Sequence, residues 1–140
     1  ALGRRASYAL LCAVSLVSVL GLFVMNREFT NVFYAWTFLV GCTTASFYGW
    51  LPLYLPELFR TSVRATGQGF SFNFGRIVAA IGVLQLGNLQ QFFTDRELNL
   101  LLVKIPAGTA SACMVLSCVY LIGMVLILFA PETKGKPLPD

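Results

Sequence analysis

The chain has 140 residues, of which 57% are hydrophobic and 11% are charged. A soluble domain carries about 25% charged residues, so this inventory cannot cover a water-exposed surface. The net charge of +4 does not indicate nucleic-acid binding, because no basic stripe with interleaved aromatic residues occurs on a soluble element. A soluble bundle of buried helices is the weaker alternative, since its helices would be shorter and would show a polar stripe.

Four long stretches without a charged residue predict membrane-spanning helices. They are residues 7–25, 31–55, 77–94 and 105–131. Crossing hydrocarbon takes roughly 20 apolar residues at about 1.5 Å rise each, and the third stretch reaches that length once residues 67–76 are counted with it. The sequence therefore predicts an all-α integral membrane fold with four transmembrane helices, at about residues 6–25, 31–55, 66–91 and 105–130.

The loop charges predict an orientation. One side of the membrane would hold Arg4, Arg5, Arg60, Arg64, Lys134 and Lys136, with Arg76 just inside it, and the other side would hold Arg27, Arg96 and Lys104. Because Lys and Arg concentrate in cytoplasmic loops, the first set is expected to face the cytoplasm. The expectation is a multi-pass protein of the cell (inner or plasma) membrane with both ends of the chain cytoplasmic and with 26–30 and 94–104 as outer loops.

Neither a metal site nor an enzyme is expected. The four cysteines lie inside apolar stretches and the chain has no histidine, so the cysteines are interpreted as small hydrophobic residues (Cys12, Cys42, Cys113 and Cys118). No acidic residue falls at membrane depth to serve as a general base. No cofactor is predicted.

Polar residues distinguish the second and third stretches from the other two. Amides and guanidinium groups at membrane depth are costly and normally face a bundle interior or a water-filled cavity. The second and third helices are therefore predicted to line a polar cavity, braced by the first and fourth. Its substrate-binding residues would be Thr44, Tyr48, Asn73 and Arg76. For Arg76, snorkelling to the interface or structural pairing is an equal alternative.

Three short motifs then stand at the predicted cytoplasmic ends of the helices. They are Gly3-Arg4-Arg5, Pro56-Glu57-Leu58-Phe59 followed by Arg64-Ala65-Thr66-Gly67, and Pro131-Glu132-Thr133-Lys134-Gly135. In this order they resemble the loop signatures of major facilitator superfamily transporters of the sugar-porter-like or metabolite:proton symporter type. Arg60 departs from the pattern, since relatives commonly have proline there.

The resemblance implies a C-terminal fragment, helices nine to twelve of a twelve-helix transporter, whose partners would be the N-terminal helices of the same protein. It implies secondary active transport of a sugar, organic acid or other metabolite by alternating access, with a proton as a possible co-substrate. It also implies a cytoplasmic gate of charge pairs, formed by Arg4, Arg5, Glu57, Arg64 and Glu132, in which Glu57 and Arg64 act as the latch. A solvated ion pair contributing about 0–1 kcal/mol is the alternative for these charges, and a self-contained four-span subunit or small oligomeric exporter is the alternative for the whole chain.

Overall fold

The computed structural model describes residues 2–25, 28–94, 98–100, 103–105 and 107–139, the strands by their backbone alone. Arg27 and Arg96, two of the predicted outer charges, lie outside these residues. The elements in chain order are α1 (Arg4–Met25), α2 (Asn31–Tyr54), two 3-10 turns (Leu55–Glu57 and Thr61–Val63), α3 (Arg64–Leu84), α4 (Leu86–Phe92), β1 (Leu98–Leu100), β2 (Val103–Ile105), α5 (Thr109–Ser117) and α6 (Val119–Phe129).

Length and apolar composition confirm the all-α integral membrane class. Within the described residues, three helical runs are long and apolar enough to cross a membrane: Arg4–Met25, Thr61–Phe92 and Thr109–Phe129. Helix α2 has 24 residues, which is sufficient length, but its threonine, tyrosine and tryptophan content lowers its hydropathy. The chain is thus a multi-pass membrane protein.

Short interruptions divide the third and fourth predicted helices. The turn at Gln85 separates α3 from α4, and the turn at Cys118 separates α5 from α6. At Cys118 the main-chain N–H donates to the carbonyl of Val115 at 3.1 Å, a three-residue spacing that tightens the helix locally. Neither position carries a proline or glycine, so composition gave no signal for these breaks.

The segment predicted as the second outer loop contains a small β-hairpin. Strands β1 and β2 pair antiparallel, with Leu98 opposite Ile105 and Leu100 opposite Val103. Apolar residues alternate along both strands, which is the two-residue period of β-structure. The prediction of an outer loop at 94–104 did not include these strands, each of which is only three residues long.

Helix α1 is the centre of the packing. It lies against α2 on one side and against α5 and α6 on the other. Its buried residues are Cys12, Ser15 and Ser18, spaced by three so that they share one face. Small side chains allow neighbouring helices to approach closely where lipid supplies no hydrophobic driving force. Helix α3, by contrast, has no buried residue along its whole described length and mainly contacts the two 3-10 turns and α4.

The α1–α2 contact depends on a glycine. A Cβ built on Gly21 would lie 2.4 Å from two ring carbons of Trp36, whereas nothing lies within 4 Å of the same position on Gly41. The Trp36 ring therefore occupies the space above Gly21.

We expect Gly21→Ala to lower the apparent melting temperature of the full-length protein in detergent, because overpacking of this kind costs about 1–3 kcal/mol. Gly41→Ala is the matched control, and its gain in helix propensity should leave stability unchanged or raised by up to about 1 kcal/mol. Equal melting temperatures for the two variants would contradict the packing of Trp36 on Gly21.

Candidate functional site

Three chain segments meet at one end of the helices: the start of α1, the turn after α2 and the segment after α6. The Arg4 guanidinium donates to both oxygens of Glu57, with Nε to Oε2 at 3.1 Å and Nη2 to Oε1 at 2.6 Å. The Glu57 side chain is only 18% exposed and that of Arg4 is 34% exposed. Two parallel charge-assisted hydrogen bonds, partly shielded from water, are stronger than an exposed ion pair.

Hydroxyl groups attach the segment after α6 to the same place. The Thr133 hydroxyl donates to Glu57 Oε2 at 2.5 Å. The Tyr54 hydroxyl, at the last residue of α2, donates to the carbonyl of Pro131 at 2.8 Å. Both contacts join residues more than seventy positions apart along the chain.

The carboxylate of Glu132 caps the start of α1. It accepts the main-chain N–H of Arg4 at 2.8 Å, that of Arg5 at 3.2 Å and that of Lys134 at 3.2 Å. The first N–H groups of a helix have no partner inside it, and negative charge there is favoured by the helix dipole. A Cβ on Gly3 would lie 2.6 Å from Glu132 Oε2, so a side chain at this position would displace the Glu132 carboxylate. We call Arg4, Glu57, Glu132 and Thr133 the end cluster.

Both carboxylates of the end cluster remain ionised at neutral pH. Hydrogen bonding to Arg4 is the main cause that lowers the pKa of Glu57 below its ordinary value of 4.5, and Thr133 adds to it. The main-chain N–H of Arg4 is the main cause that lowers the pKa of Glu132, with the N–H groups of Lys134 and Arg5 adding to it. These two groups therefore do not exchange protons in the physiological range.

The structure places Arg64 elsewhere. Its Nε donates to the carbonyl of Phe59 at 3.3 Å and its Nη2 to the carbonyl of Pro139 at 2.9 Å. The ring of Phe59 lies over Gly67, where a Cβ would come within 2.6 Å of it. In this structure Arg64 bonds to main-chain carbonyls and Arg4 supplies the cation for Glu57, so the two residues of the predicted latch do not bond to each other within this chain. Arg60 lies just before the second 3-10 turn with an exposed side chain, and its contacts assign it no role.

A groove of about 360 Å³ lies between α2 and α3. This volume is within the range of roughly 300–1,000 Å³ that is usual for small-molecule sites. The residues that line it are Phe47, Tyr48, Leu51, Leu55, Ser71, Phe72, Gly75, Arg76 and Ala79. The lining is thus an apolar and aromatic surface with one cation, which we call the α2–α3 groove.

Arg76 and Tyr48 both flank the ring of Phe72. The Arg76 guanidinium carbon lies 4.9 Å from the centre of that ring, within cation–π range. The ring of Tyr48 meets it edge to face with centroids 6.5 Å apart. A guanidinium held over an aromatic ring can bind a carboxylate while the apolar wall contacts the body of the same solute.

The other two predicted substrate-binding residues do not line the α2–α3 groove. The Thr44 hydroxyl donates to the carbonyls of Val40 at 2.8 Å and Gly41 at 3.2 Å. The Asn73 amide donates to the carbonyl of Gly69 at 2.8 Å. Both side chains bond to their own helix, which satisfies polar groups where water is scarce. Of the four predicted residues, the structure brings together Tyr48 and Arg76.

Sequence reasoning missed three residues of these sites. Phe72 stands four residues before Arg76 on the same helix, a spacing at which side chains meet, so that the pair could have been found. Thr133 lies inside the third motif, yet only its neighbour Glu132 was selected. Tyr54 gave no signal, since its partner carbonyl is distant in the sequence.

Acid should lower the stability that the end cluster contributes to the fold. Because the pKa of Glu57 is lowered on folding, its contribution to stability is fully present above about pH 4.5 and is lost as the pH falls further, through the lowered value. The melting temperature of the full-length protein should therefore fall below pH 4.5, and Glu57→Gln should flatten that fall. Glu28→Gln, at an exposed carboxylate of the other end, is the control. Identical pH profiles for the three proteins would contradict this role of Glu57.

Comparison with known proteins finds transporters. The chain is 29% identical over 136 residues to the probable 4-methylmuconolactone transporter of Cupriavidus pinatubonensis, covering 96% of this chain and 28% of that protein. It is 30% identical over 139 residues to solute carrier family 22 member 6-B of Xenopus laevis, covering 99% of this chain and 22% of that protein. It is 34% identical over 90 residues to human solute carrier family 22 member 11, covering 64% of this chain and 14% of that protein.

No protein-family model matches the chain. The chain spans about a quarter of the length of the first two curated relatives. All three of these relatives are named as transporters or solute carriers, so the prediction that the chain is not an enzyme is confirmed by them. The chain is a distant homologue of membrane transporters.

Proposed function

We propose that the chain forms the last four membrane spans of a major facilitator transporter that moves a small organic anion by alternating access. The observation that carries this proposal is the α2–α3 groove, in which the Arg76 guanidinium lies against the Phe72 ring and Tyr48 completes the aromatic wall. An anionic solute with an apolar body matches that combination better than a sugar, whose hydroxyls would need several polar partners.

The name of one relative supports the same solute class. The Cupriavidus pinatubonensis protein is named for 4-methylmuconolactone, a small carboxylic acid that carries a lactone ring. The three loop motifs support the superfamily, and the exposed side chains of α3 support further helices packed against it. Phe70, Phe74 and Ile77 are each more than half exposed in this chain alone. The N-terminal helices of a transporter would cover this face and would supply the other wall of the cavity.

We also propose that the end cluster lies on the cytoplasmic side of the cell membrane. The segments that carry Arg4, Arg5 and Lys134 meet there through the contacts of Glu57 and Glu132, which agrees with a cytoplasmic surplus of basic residues. Since its carboxylates stay ionised, a co-transported proton would be carried by a group outside the end cluster.

The end cluster acts as a brace in this proposal. Its contacts join α1, the end of α2 and the segment after α6, all of which belong to one chain. Alternating access by rocking requires each helical unit to move as a rigid body. Because Glu57 lies in the connection between α2 and α3 and bonds to Arg4, the brace would transmit movement of that connection to α1. The exposed side of the end cluster would contact the other half of the transporter.

We propose that the brace also forms part of the cytoplasmic gate, which neutralising Glu57 should disturb. In the full-length protein we expect Glu57→Gln to lower uptake on the order of tenfold, because it removes a charge-assisted bond and leaves Arg4 unpaired. Reactivity of single cysteines placed in the cytoplasmic mouth should rise as inward-facing forms become more populated. Arg60→Gln is the matched control at an exposed charge of the same loop. If Glu57→Gln left both uptake and cysteine reactivity unchanged, the gate would not include Glu57.

Substitution of Arg76 tests whether the solute is an organic anion. Arg76→Gln should raise KM for benzoate, used as a probe carboxylate, by tenfold or more, and Arg76→Lys should be intermediate because it keeps the charge without the planar fork. Uptake of glucose by the same proteins tests the sugar alternative. Transport of glucose but not of benzoate by the unmodified protein would overturn the organic-anion proposal, and so would an unchanged KM for benzoate in Arg76→Gln.

A further inference from the structure

A second groove opens between α1, α2 and α6, close to the end cluster. Its volume is about 230 Å³, below the roughly 300 Å³ at which sites for drug-sized molecules begin. Tyr8, Trp50, Tyr54, Leu126, Ile127 and Ala130 are among the residues that line it. An apolar groove of this size and open shape suits a flexible hydrocarbon chain better than a compact polar solute.

Arg5 marks one end of this groove. Its Nε donates to the carbonyl of Ile127, a lining residue, at 3.2 Å. The contact fixes the guanidinium beside the groove and uses one of its donors. Among the residues that the structure describes, the two terminal amino groups of Arg5 have no partner. The nearby carboxylate of Glu132 is already bonded to three main-chain N–H groups. Within the described part of the chain, the remaining donors of Arg5 are therefore available to an external anion.

Aromatic rings line the groove beneath this arginine. The ring of Trp50 lies 4.6 Å from those of Tyr8 and Tyr54, measured between centroids. Tryptophan and tyrosine favour the level of the lipid headgroups, where one part of the side chain is apolar and another is polar. On the α6 side, Leu126 is 62% exposed, so the groove is accessible from the hydrocarbon that surrounds this helix.

From this combination we propose that the groove holds one anionic phospholipid of the cytoplasmic leaflet, with its phosphate on the terminal amino groups of Arg5 and an acyl chain along Trp50, Leu126 and Ala130. Guanidinium groups bind phosphate through two parallel hydrogen bonds. The site lies between α1, α2 and α6, and it shares Leu51 and Leu55 with the lining of the α2–α3 groove. It does not depend on which solute is transported, or on transport at all.

Native mass spectrometry of the full-length protein released from nanodiscs tests the site. The nanodiscs contain equal amounts of phosphatidylglycerol and phosphatidylethanolamine. We expect one phosphatidylglycerol to remain bound to the unmodified protein. Arg5→Gln should lower its occupancy at least fivefold, because a glutamine can still donate to the Ile127 carbonyl but cannot form the paired phosphate contact. Ala130→Phe should lower it similarly by filling the groove.

Leu128→Trp is the matched control, since Leu128 is 64% exposed on the same helix and does not line the groove. Equal retention of phosphatidylglycerol by all four proteins would overturn the proposal. Equal retention of the two lipids by the unmodified protein would overturn the preference for an anionic lipid. Should Ala130→Phe fail to give folded protein, Leu126→Trp fills the same groove from an exposed position. A change of lipid occupancy with unaltered benzoate uptake would still support the site, so this test is separate from that of transport.

Discussion

A carboxylate held ionised at one end of the helices is the constraint on which the arrangement of this chain depends. Glu57 receives two hydrogen bonds from Arg4 and one from Thr133. Without these donors, partial burial would favour its neutral form. Arg4 lies at the start of α1, Thr133 lies after α6, and Glu57 itself follows α2. The contacts of this one carboxylate therefore join three helices. Glu132 is likewise held by hydrogen bonds, in its case from main-chain N–H groups. Together the two carboxylates fix the start of α1, one through the Arg4 side chain and the other through the main chain of Arg4 and Arg5.

The opposite situation holds along α3. None of its residues is buried. The two residues of α3 that were predicted to line a cavity, Asn73 and Arg76, make different contacts. Asn73 bonds to its own helix, whereas Arg76 extends over Phe72. A firmly braced core of α1, α2, α5 and α6 beside an unpacked α3 leaves the groove between α2 and α3 open on one side. This is the arrangement that a transporter requires, since a cavity must be closed by another half that can move.

The sequence was sufficient for the membrane class, because absence of charge over twenty or more residues is a local property. It was also sufficient to identify Glu57, Glu132 and Arg4 as residues of one end. It could not give their pairing, since Arg4 and Glu57 are 53 positions apart and only tertiary packing brings them together. Arg64 was assigned to the gate from the motif that it shares with Glu57, and in the structure it donates to the carbonyls of Phe59 and Pro139. The hairpin at 98–105 was missed although its alternation is local, because it is only three residues long on each strand.

The capping of α1 by Glu132 has a consequence for how the protein is made. The two groups are 128 positions apart, so the first N–H groups of α1 have no carboxylate until nearly all of this chain has been synthesised and inserted. During that time the start of α1 must rely on water or lipid headgroups. If synthesis stopped before residue 132, the start of α1 would lack the Glu132 carboxylate and Glu57 would lack the hydrogen bond from Thr133. The start of α1 therefore reaches its final hydrogen bonding only after α6 has been made.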